Sequence, residues 1–191
     1  MEVKAQNISL LVTACKNRNV DGQRKLYELF YSYGMSVCLR YTGNRDEAQE
    51  VLNDGFYRVF TKIDLYDQEQ PFKSWFRVIL IHAAIDYHRK YHKLDAFAEL
   101  DSFDNLHPVQ NDGLDNLLYE DVMECVQNLS PQYRLVFNLY AVDGLTHSEI
   151  AQRLDISVGT SKSNYSKARG KLQELLQNNN YLKFYKYGQK L

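Results

Sequence analysis

Between Ser157 and Leu172 the sequence reads SVGTSKSNYSKARGKL, with four cations, Lys162, Lys167, Arg169 and Lys171, and no acid. Hydroxyls, glycines and like charges do not break bonds, but they neutralise and hydrogen-bond a polyanion, and small side chains let a helix come close to it. At the helical 100° per residue, Val158, Ser161, Tyr165, Ala168, Leu172 and Leu175 share one arc and predict a core-facing stripe. The opposite face then presents Gly159, Thr160, Ser163, Ser166, Lys167 and Gly170, flanked by Lys162 and Arg169 on one side and by Asn164 and Lys171 on the other. A solvated helix face commonly carries long side chains of mixed charge in i,i+4 pairs. Hydroxyls and glycines between like charges instead favour contact in a DNA major groove about 12 Å wide. Capture of an acidic protein is the reading that charge alone leaves open.

No enzyme chemistry is expected. His82, His88, His92, His107 and His147 form no metal or triad pattern, and neither a P-loop nor a Gly-rich phosphate cradle is present. His88 and His92 share a face at i,i+4 but lack carboxylate or cysteine support for a metal. Cys15, Cys38 and Cys125 are far apart and odd in number, which argues against a disulfide framework or zinc site. They read as small buried hydrophobes in a reducing compartment, and no cofactor is expected.

The 191 residues are 45% hydrophobic with only nine glycines and three prolines, a composition that favours helix almost throughout and an all-α class. The net charge of -1 hides a basic segment at 71–93, an acidic one at 94–133 and a second basic one at 157–191. Local charge density, not the total, governs attraction to phosphate within a Debye length. The N-terminal MEVKAQNISLLVTACKNRN is too short and poorly flanked in its apolar part for a signal peptide. The most apolar later run, VILIHAAI, falls far short of the ~20 residues of a spanning helix. A cytoplasmic protein without membrane insertion follows.

The elements that must position these residues are legible in part. Leu26, Leu29, Phe30, Tyr33, Val37 and Tyr41 predict a helix to about Thr42. Asn44 with Glu47 three residues on has the form of a capping box, opening a helix with the stripe Ala48, Val51, Leu52, Phe56, Val59, Phe60 and Ile63. Its other face carries the acidic strip Asp46, Glu47, Glu50 and Asp54. DLYDQEQP breaks the pattern, and FKSWFRVILIHAAIDYHRKYHK resumes it with aromatic residues and a basic end. Residues 1–93 read as one helical domain, 94–116 as a flexible acidic linker, 117–180 as a second domain and 181–191 as a basic aromatic tail. In the second domain LLYEDVMECVQNL predicts a helix, Ser130-Pro131 restarts one as cap and first residue, and Gly144 stops it. Thr146 and Glu149 form another capping box, and Asp155-Ile156-Ser157 turns the chain into the basic helix. Residues 146–172 thus have the anatomy of a helix-turn-helix.

The chain resembles the extracytoplasmic-function (ECF) sigma factors of the sigma-70 family. LSPQYRLVFNLYAVDGLTHSEIAQRLDISVGTSKSNYSKARGKLQELL looks like region 4 of that group, with its G-L-T-x-x-E-I-A and S-V-G-T-x-K-S-x-x-x-x-A-R-x-K-L patterns. LYELFYSYGMSVCLRYTGNRDEAQEVLNDGFYRVF followed by PFKSWFRVILIHAAIDYHRK is similar to region 2. The resemblance implies a dissociable subunit that binds core RNA polymerase, directs it to promoter DNA and helps open the duplex. It implies that Asp46, Glu47, Gln49, Glu50, Asn53 and Asp54 contact the clamp helices of the β′ subunit. Lys73, Ser74, Trp75, Arg77, His82, Asp86, Arg89 and Lys90 would engage the -10 element, where unstacked bases suit aromatic residues and a basic track. Thr160, Lys162, Ser163, Ser166 and Lys167 would serve the -35 element, with Arg169 and Lys171 on phosphates. Leu135, Phe137 and Leu139 are mixed core and interface candidates for the flap of the β subunit, and an anti-sigma factor is a further implied partner. His82 stands where the family often has asparagine, Ser161 where it has an apolar core residue, and Asp155 where glycine commonly turns. Twenty-three linker residues reach at most ~75 to 80 Å, enough for the roughly 50 Å of one and a half duplex turns. A stand-alone helix-turn-helix regulator is the main competing reading, and a protein-interaction adaptor a more distant one.

Overall fold

A computed structural model of the chain describes residues 2–91 and 122–178, and every regular element among them is helical. The expected linker at 94–116, the tail at 181–191 and His92 and His107 lie outside the described residues. The chain divides into two units, Met1–Tyr87 and His88–Leu191.

In the first unit, α1 (Glu2–Lys16) packs on α2 (Val20–Cys38), followed by α3 (Arg45–Lys62), a single 3-10 turn at Ile63–Leu65, and α4 (Phe72–Tyr91). Asn19 opens α2 by accepting the Gly22 N–H at 2.8 Å, and Asn44 opens α3 by accepting that of Glu47 at 2.9 Å. The reciprocal half of the Asn44 cap lands one residue early, because the Glu47 carboxylate accepts from Gly43 N–H at 2.8 Å rather than from Asn44 N–H.

The core between α2, α3 and α4 is a lattice of rings. Phe56 and Phe76 are 4.8 Å apart, Phe30 and Phe72 4.7 Å, and Phe30 and Phe76 6.0 Å in an edge contact. Leu26, Leu52 and Leu80 fill the gaps, fully buried. Gly34 lets α2 approach closely, since a Cβ there would collide with Leu52 and press on the Phe76 ring. Leu29, expected in the core stripe, is 53% exposed; Leu26 and Phe30 on either side of it take the inward positions.

In the second unit the described part of α5 is 122–127, followed by α6 (Pro131–Phe137), α7 (His147–Leu154) and α8 (Val158–Asn178). Pro131 starts α6 as expected, but the Ser130 hydroxyl makes no capping bond. Proline removes one of the amides that a cap would serve. The expected uninterrupted helix to Gly144 instead widens into a π turn at Asn138–Val142, with Asp143 N–H bonded to Asn138 C=O five residues back. Buried Asn138 opens the π turn, its side-chain amide donating to Arg134 C=O at 2.9 Å alongside its own backbone N–H. Gly144, at φ 73°, then reverses the chain in a region that a side chain disfavours.

Arg134 is 5% exposed and holds the end of α5 to α6, its Nη2 donating to Gln127 C=O at 2.8 Å and Leu129 C=O at 2.9 Å. A cation there also suits the negative end of the α5 dipole. Cys125, Val126 and Leu129 pack with Ala168 and Leu172, so α8 is anchored along one stripe.

Candidate nucleic-acid and partner interfaces

The turn before α8 is built as the sequence suggests. Asp155 is left-handed at φ 57°, ψ 46°, tolerable for aspartate, and ends α7. Ser157 then caps α8, accepting the Thr160 N–H at 2.9 Å, while the two hydroxyls share a hydrogen bond of 2.8 Å. Upstream, Thr146 and Glu149 form the predicted box, with Thr146 N–H donating to the Glu149 carboxylate at 2.8 Å. That bond, joined by the Thr146 hydroxyl, holds the Glu149 carboxyl below the usual range.

On α8, Thr160, Lys162, Ser163, Ser166, Lys167 and Arg169 are all exposed. Three placements differ from expectation. Asn164, expected on a flank, is 7% exposed, because it lies three residues after Ser161 and four before Ala168 on the buried stripe. Val158, expected inward, is 40% exposed, the first residue of the helix lying beyond the edge of the core. Lys171 is half-buried beside that stripe and faces Glu174 at 3.9 Å, away from Ser163 and Ser166.

Ser161 is fully buried, and its hydroxyl meets His147 Nδ1 at 3.0 Å. The imidazole in turn stacks on Tyr140 at 4.3 Å, and Tyr140 contacts Tyr165 at 4.5 Å. A hydroxyl in place of an apolar residue therefore does not leave a defect; it pins α8 to α7 at one register. Sequence spacing gave no sign of this partner beyond the rule that a buried hydroxyl needs one.

On α4 the eight residues implied for the -10 element occupy two sides. Trp75, His82, Asp86 and Arg89 recur at helical spacing on one stripe, with Ser74 at its edge. Lys73 and Arg77 fall on the far side, where Lys73 Nζ sits 4.3 Å from the Tyr33 ring centre on α2. Lys90 lies over Tyr91 at 4.5 Å. Trp75 is half-buried against Tyr66 at 4.9 Å, and the Tyr66 hydroxyl donates to Gln70 C=O, closing the loop between α3 and α4.

Arg58, which the sequence reading did not single out, joins two of the expected sets. Its guanidinium meets Asp54 at 2.7 Å and Asp86 at 2.8 Å, cross-bracing α3 and α4. Burial lowers the Arg58 pKa, but the hydrogen bonds to Asp86 and Asp54 outweigh it, so that the net shift is upward. Of the acidic strip, Asp46, Glu50 and Asn53 are exposed, Gln49 and Asp54 are half-buried, and Glu47 serves the α3 cap. Leu135 and Leu139 are fully buried in their own unit, leaving Phe137 partly accessible. Among the described residues no cluster of His, Cys, Asp or Glu could hold a metal ion, and no helix is long and apolar enough to cross a membrane.

Residues 26–93 match the family model "Sigma-70 region 2" and residues 119–172 match "Sigma-70, region 4". The chain is 27% identical over 173 residues to the ECF RNA polymerase sigma factor SigW of Bacillus subtilis (strain 168), covering 84% of this chain and 92% of that protein. It is 25% identical over 179 residues to the ECF RNA polymerase sigma-E factor of Haemophilus influenzae, covering 86% and 94%. A solved structure of the sigma factor RpoE in complex with the anti-sigma factor NepR from Bartonella quintana aligns with TM-score 0.49 at 24% identity, covering 81% of this chain and 96% of that one. With the two models matched in order over more than half of the sequence, the chain belongs to the sigma-70 family, in its extracytoplasmic-function group.

Proposed function

We propose that this chain is a sigma factor that binds core RNA polymerase, recognises promoter DNA and helps open it for transcription initiation. It is not an enzyme; its work is binding. What carries the reading is the pairing of region 2 and region 4 segments in one chain. A stand-alone regulator would need only the second of them.

In this reading residues 1–93 form the region 2 domain, 94–116 the linker, 117–180 the region 4 domain and 181–191 a basic tail. The exposed Lys162, Ser163, Ser166 and Lys167 read bases of the -35 element, while Thr160, its hydroxyl already bonded to Ser157, and Arg169 orient the helix on phosphates. Lys171, set to one side, makes the most peripheral contact. On α4 the stripe of Trp75, His82 and Arg89, with Ser74 beside it, faces unstacked bases of the -10 element. Asp86 acts through Arg58, and Lys73, Arg77 and Lys90 supply charge along the backbone path. Asp46, Glu50 and Asn53, with Gln49, Asp54 and Glu47 behind them, face the β′ clamp helices, acidic groups suiting a basic groove. Region 4 meets the β flap through Phe137 and its exposed neighbours Tyr140 and Val142. An anti-sigma factor is the regulatory partner, and the cytoplasm the place of action.

Reconstitution with core polymerase on a supercoiled promoter library tests the whole. Initiated transcripts are expected; DNA shifts by the chain alone, with neither core binding nor transcripts, would transfer the assignment to a regulator. Lys167→Ala is expected to weaken promoter use and alter sequence preference, whereas a loss uniform across sequences would make Lys167 a phosphate contact only.

A further inference from the structure

Behind the acidic strip, four polar side chains of α2 and α3 interlock. The Tyr31 hydroxyl donates to Gln49 Oε1 at 2.7 Å. Gln49 Nε2 donates to Asn53 Oδ1 at 2.9 Å and to the Tyr27 hydroxyl at 3.2 Å, and that hydroxyl donates in turn to Asn53 Oδ1 at 3.3 Å. Both amide hydrogens of Gln49 are thus committed, and Asn53 Oδ1 accepts twice. Tyr27 is itself held by ring contacts with Phe56 at 4.5 Å and Tyr31 at 5.6 Å. With its oxygen turned inward, the Asn53 carboxamide presents its two N–H donors to solvent. Asp46, Glu50, Asn53 and Tyr57 recur at helical spacing on α3, so these donors lie between the Glu50 carboxylate and a tyrosine that is 68% exposed.

We infer that Tyr27 and Tyr31 are positioning residues for the docking of core polymerase, fixing Asn53 as a donor within a strip otherwise made of acceptors. The inference rests on the strip being the polymerase-facing surface. It assigns the partner surface a specific chemistry: cations opposite Asp46 and Glu50, and a carbonyl or carboxylate acceptor opposite Asn53. Without the tyrosine hydroxyls the two carboxamides would be held only by their bond to each other, and docking would have to order the pair. Tyr57, absent from the sequence-derived set, belongs to the same contact as an exposed aromatic, a residue type enriched at the energetic centres of interfaces.

The test uses the full chain and core RNA polymerase, with binding followed by fluorescence anisotropy at several salt concentrations. Tyr31→Phe removes one hydroxyl and no ring, and is expected to weaken core binding about fivefold through faster dissociation, as one lost neutral hydrogen bond implies. The salt slope should stay at the wild-type value, because no charge changes. Asn53→Asp, which turns the outward donor into an acceptor, should weaken binding by more than tenfold. Asp46→Asn with Glu50→Gln should slow association and flatten the salt slope. If Tyr31→Phe lowers the thermal midpoint but not core affinity, or changes neither, the hydroxyl does not position the contact and the inference falls while the strip keeps its role. If the paired charge variant binds core as tightly as the wild type, the strip is not the polymerase surface, and both readings fall together.

Discussion

The core of Met1–Tyr87 is built around a cluster of rings, whereas that of His88–Leu191 has polar groups set among smaller apolar side chains. Among the described residues the first unit buries one polar side chain, Thr42, and the second buries Arg134, Asn138, Ser161 and Asn164. Large rings interlock by shape, and four of them, on α2 and α4 and at the centre of α3, fix how three helices lie. The second unit has short helices, α6 and α7, that offer little apolar area. There directional bonds select one arrangement: Arg134 ties α5 to α6, Asn138 bonds back to Arg134 C=O at the start of the π turn, and Ser161 sets α8 against α7. Such bonds cost much when half-made and admit few alternatives when complete. A helix proposed to meet base edges in register profits from that kind of fixing.

Removing a ring should do the most damage. Phe76 is fully buried and touches Phe30, Phe56, Phe72 and Tyr33, so Phe76→Ala is expected to cost about 3–5 kcal/mol. Trp75, the one tryptophan of the chain, lies in the same unit and reports the loss by fluorescence in urea. A cost near 1 kcal/mol would mean that the ring lattice collapses easily, and the contrast in how the units are held would fail.

The second unit should be most sensitive to a polar deletion. Arg134→Met keeps an apolar stem but removes the donors to Gln127 C=O and Leu129 C=O, and should destabilise by about 2–3 kcal/mol, the range for hydrogen bonds from a charged group. Amide hydrogen exchange at residues 125–129 reads the effect locally. Unchanged protection there would show that packing by Val126 and Leu129 suffices, and would make the second unit resemble the first.

These polar fixings are also what the sequence hid. The exposed face of α8, the Thr146 box and the left-handed Asp155 follow from spacing and local backbone rules, and each was legible. Arg58 bracing Asp54 and Asp86 was not, because it depends on a residue 28 positions away meeting the same guanidinium. Nor was α1, whose apolar run Ile8–Val12 has Leu10 72% exposed and is helical because Val12 and Cys15 pack inward. Asn164, expected on the flank of the exposed face, lies inward, three residues after Ser161 and four before Ala168. Ser161 falls on the core-facing stripe as its phase predicts, but its partner His147, fourteen residues earlier, is not legible from spacing. The exposed face of α8 was therefore nearly legible from sequence, whereas the residues expected on α4 spread over two sides of the helix and the exposed Tyr57 of α3 was not among those expected.

A smaller and sharper effect is expected from Ser161→Ala. It deletes one hydroxyl from a fully buried site and leaves His147 Nδ1 without that partner, at a cost of about 1 kcal/mol. If the bond sets register, promoter binding should fall more than this stability change alone produces at a temperature where the protein stays folded. Affinity unchanged at full folding would make Ser161 a filler of space, as the rings of the first unit are.

The smallest effect belongs to Glu149, and acid reveals it. Thr146 N–H and hydroxyl bind the charged carboxylate, so its pKa in the folded chain lies below that of the unfolded chain, where it approaches the ordinary glutamate value of about 4.3. The unfolded state then binds more protons between the two values, and the contribution of the cap is fully present above the higher one and lost as pH falls through the lower. Glu149→Gln keeps an acceptor for Thr146 but cannot titrate. The difference in melting temperature between wild type and variant should be constant near neutral pH and shrink below about pH 4. A difference that stays constant into acid would show the carboxylate to be dispensable at the start of α7. The register of α8 would then rest on the His147–Ser161 bond and the packing beneath it, without help from the cap one residue away.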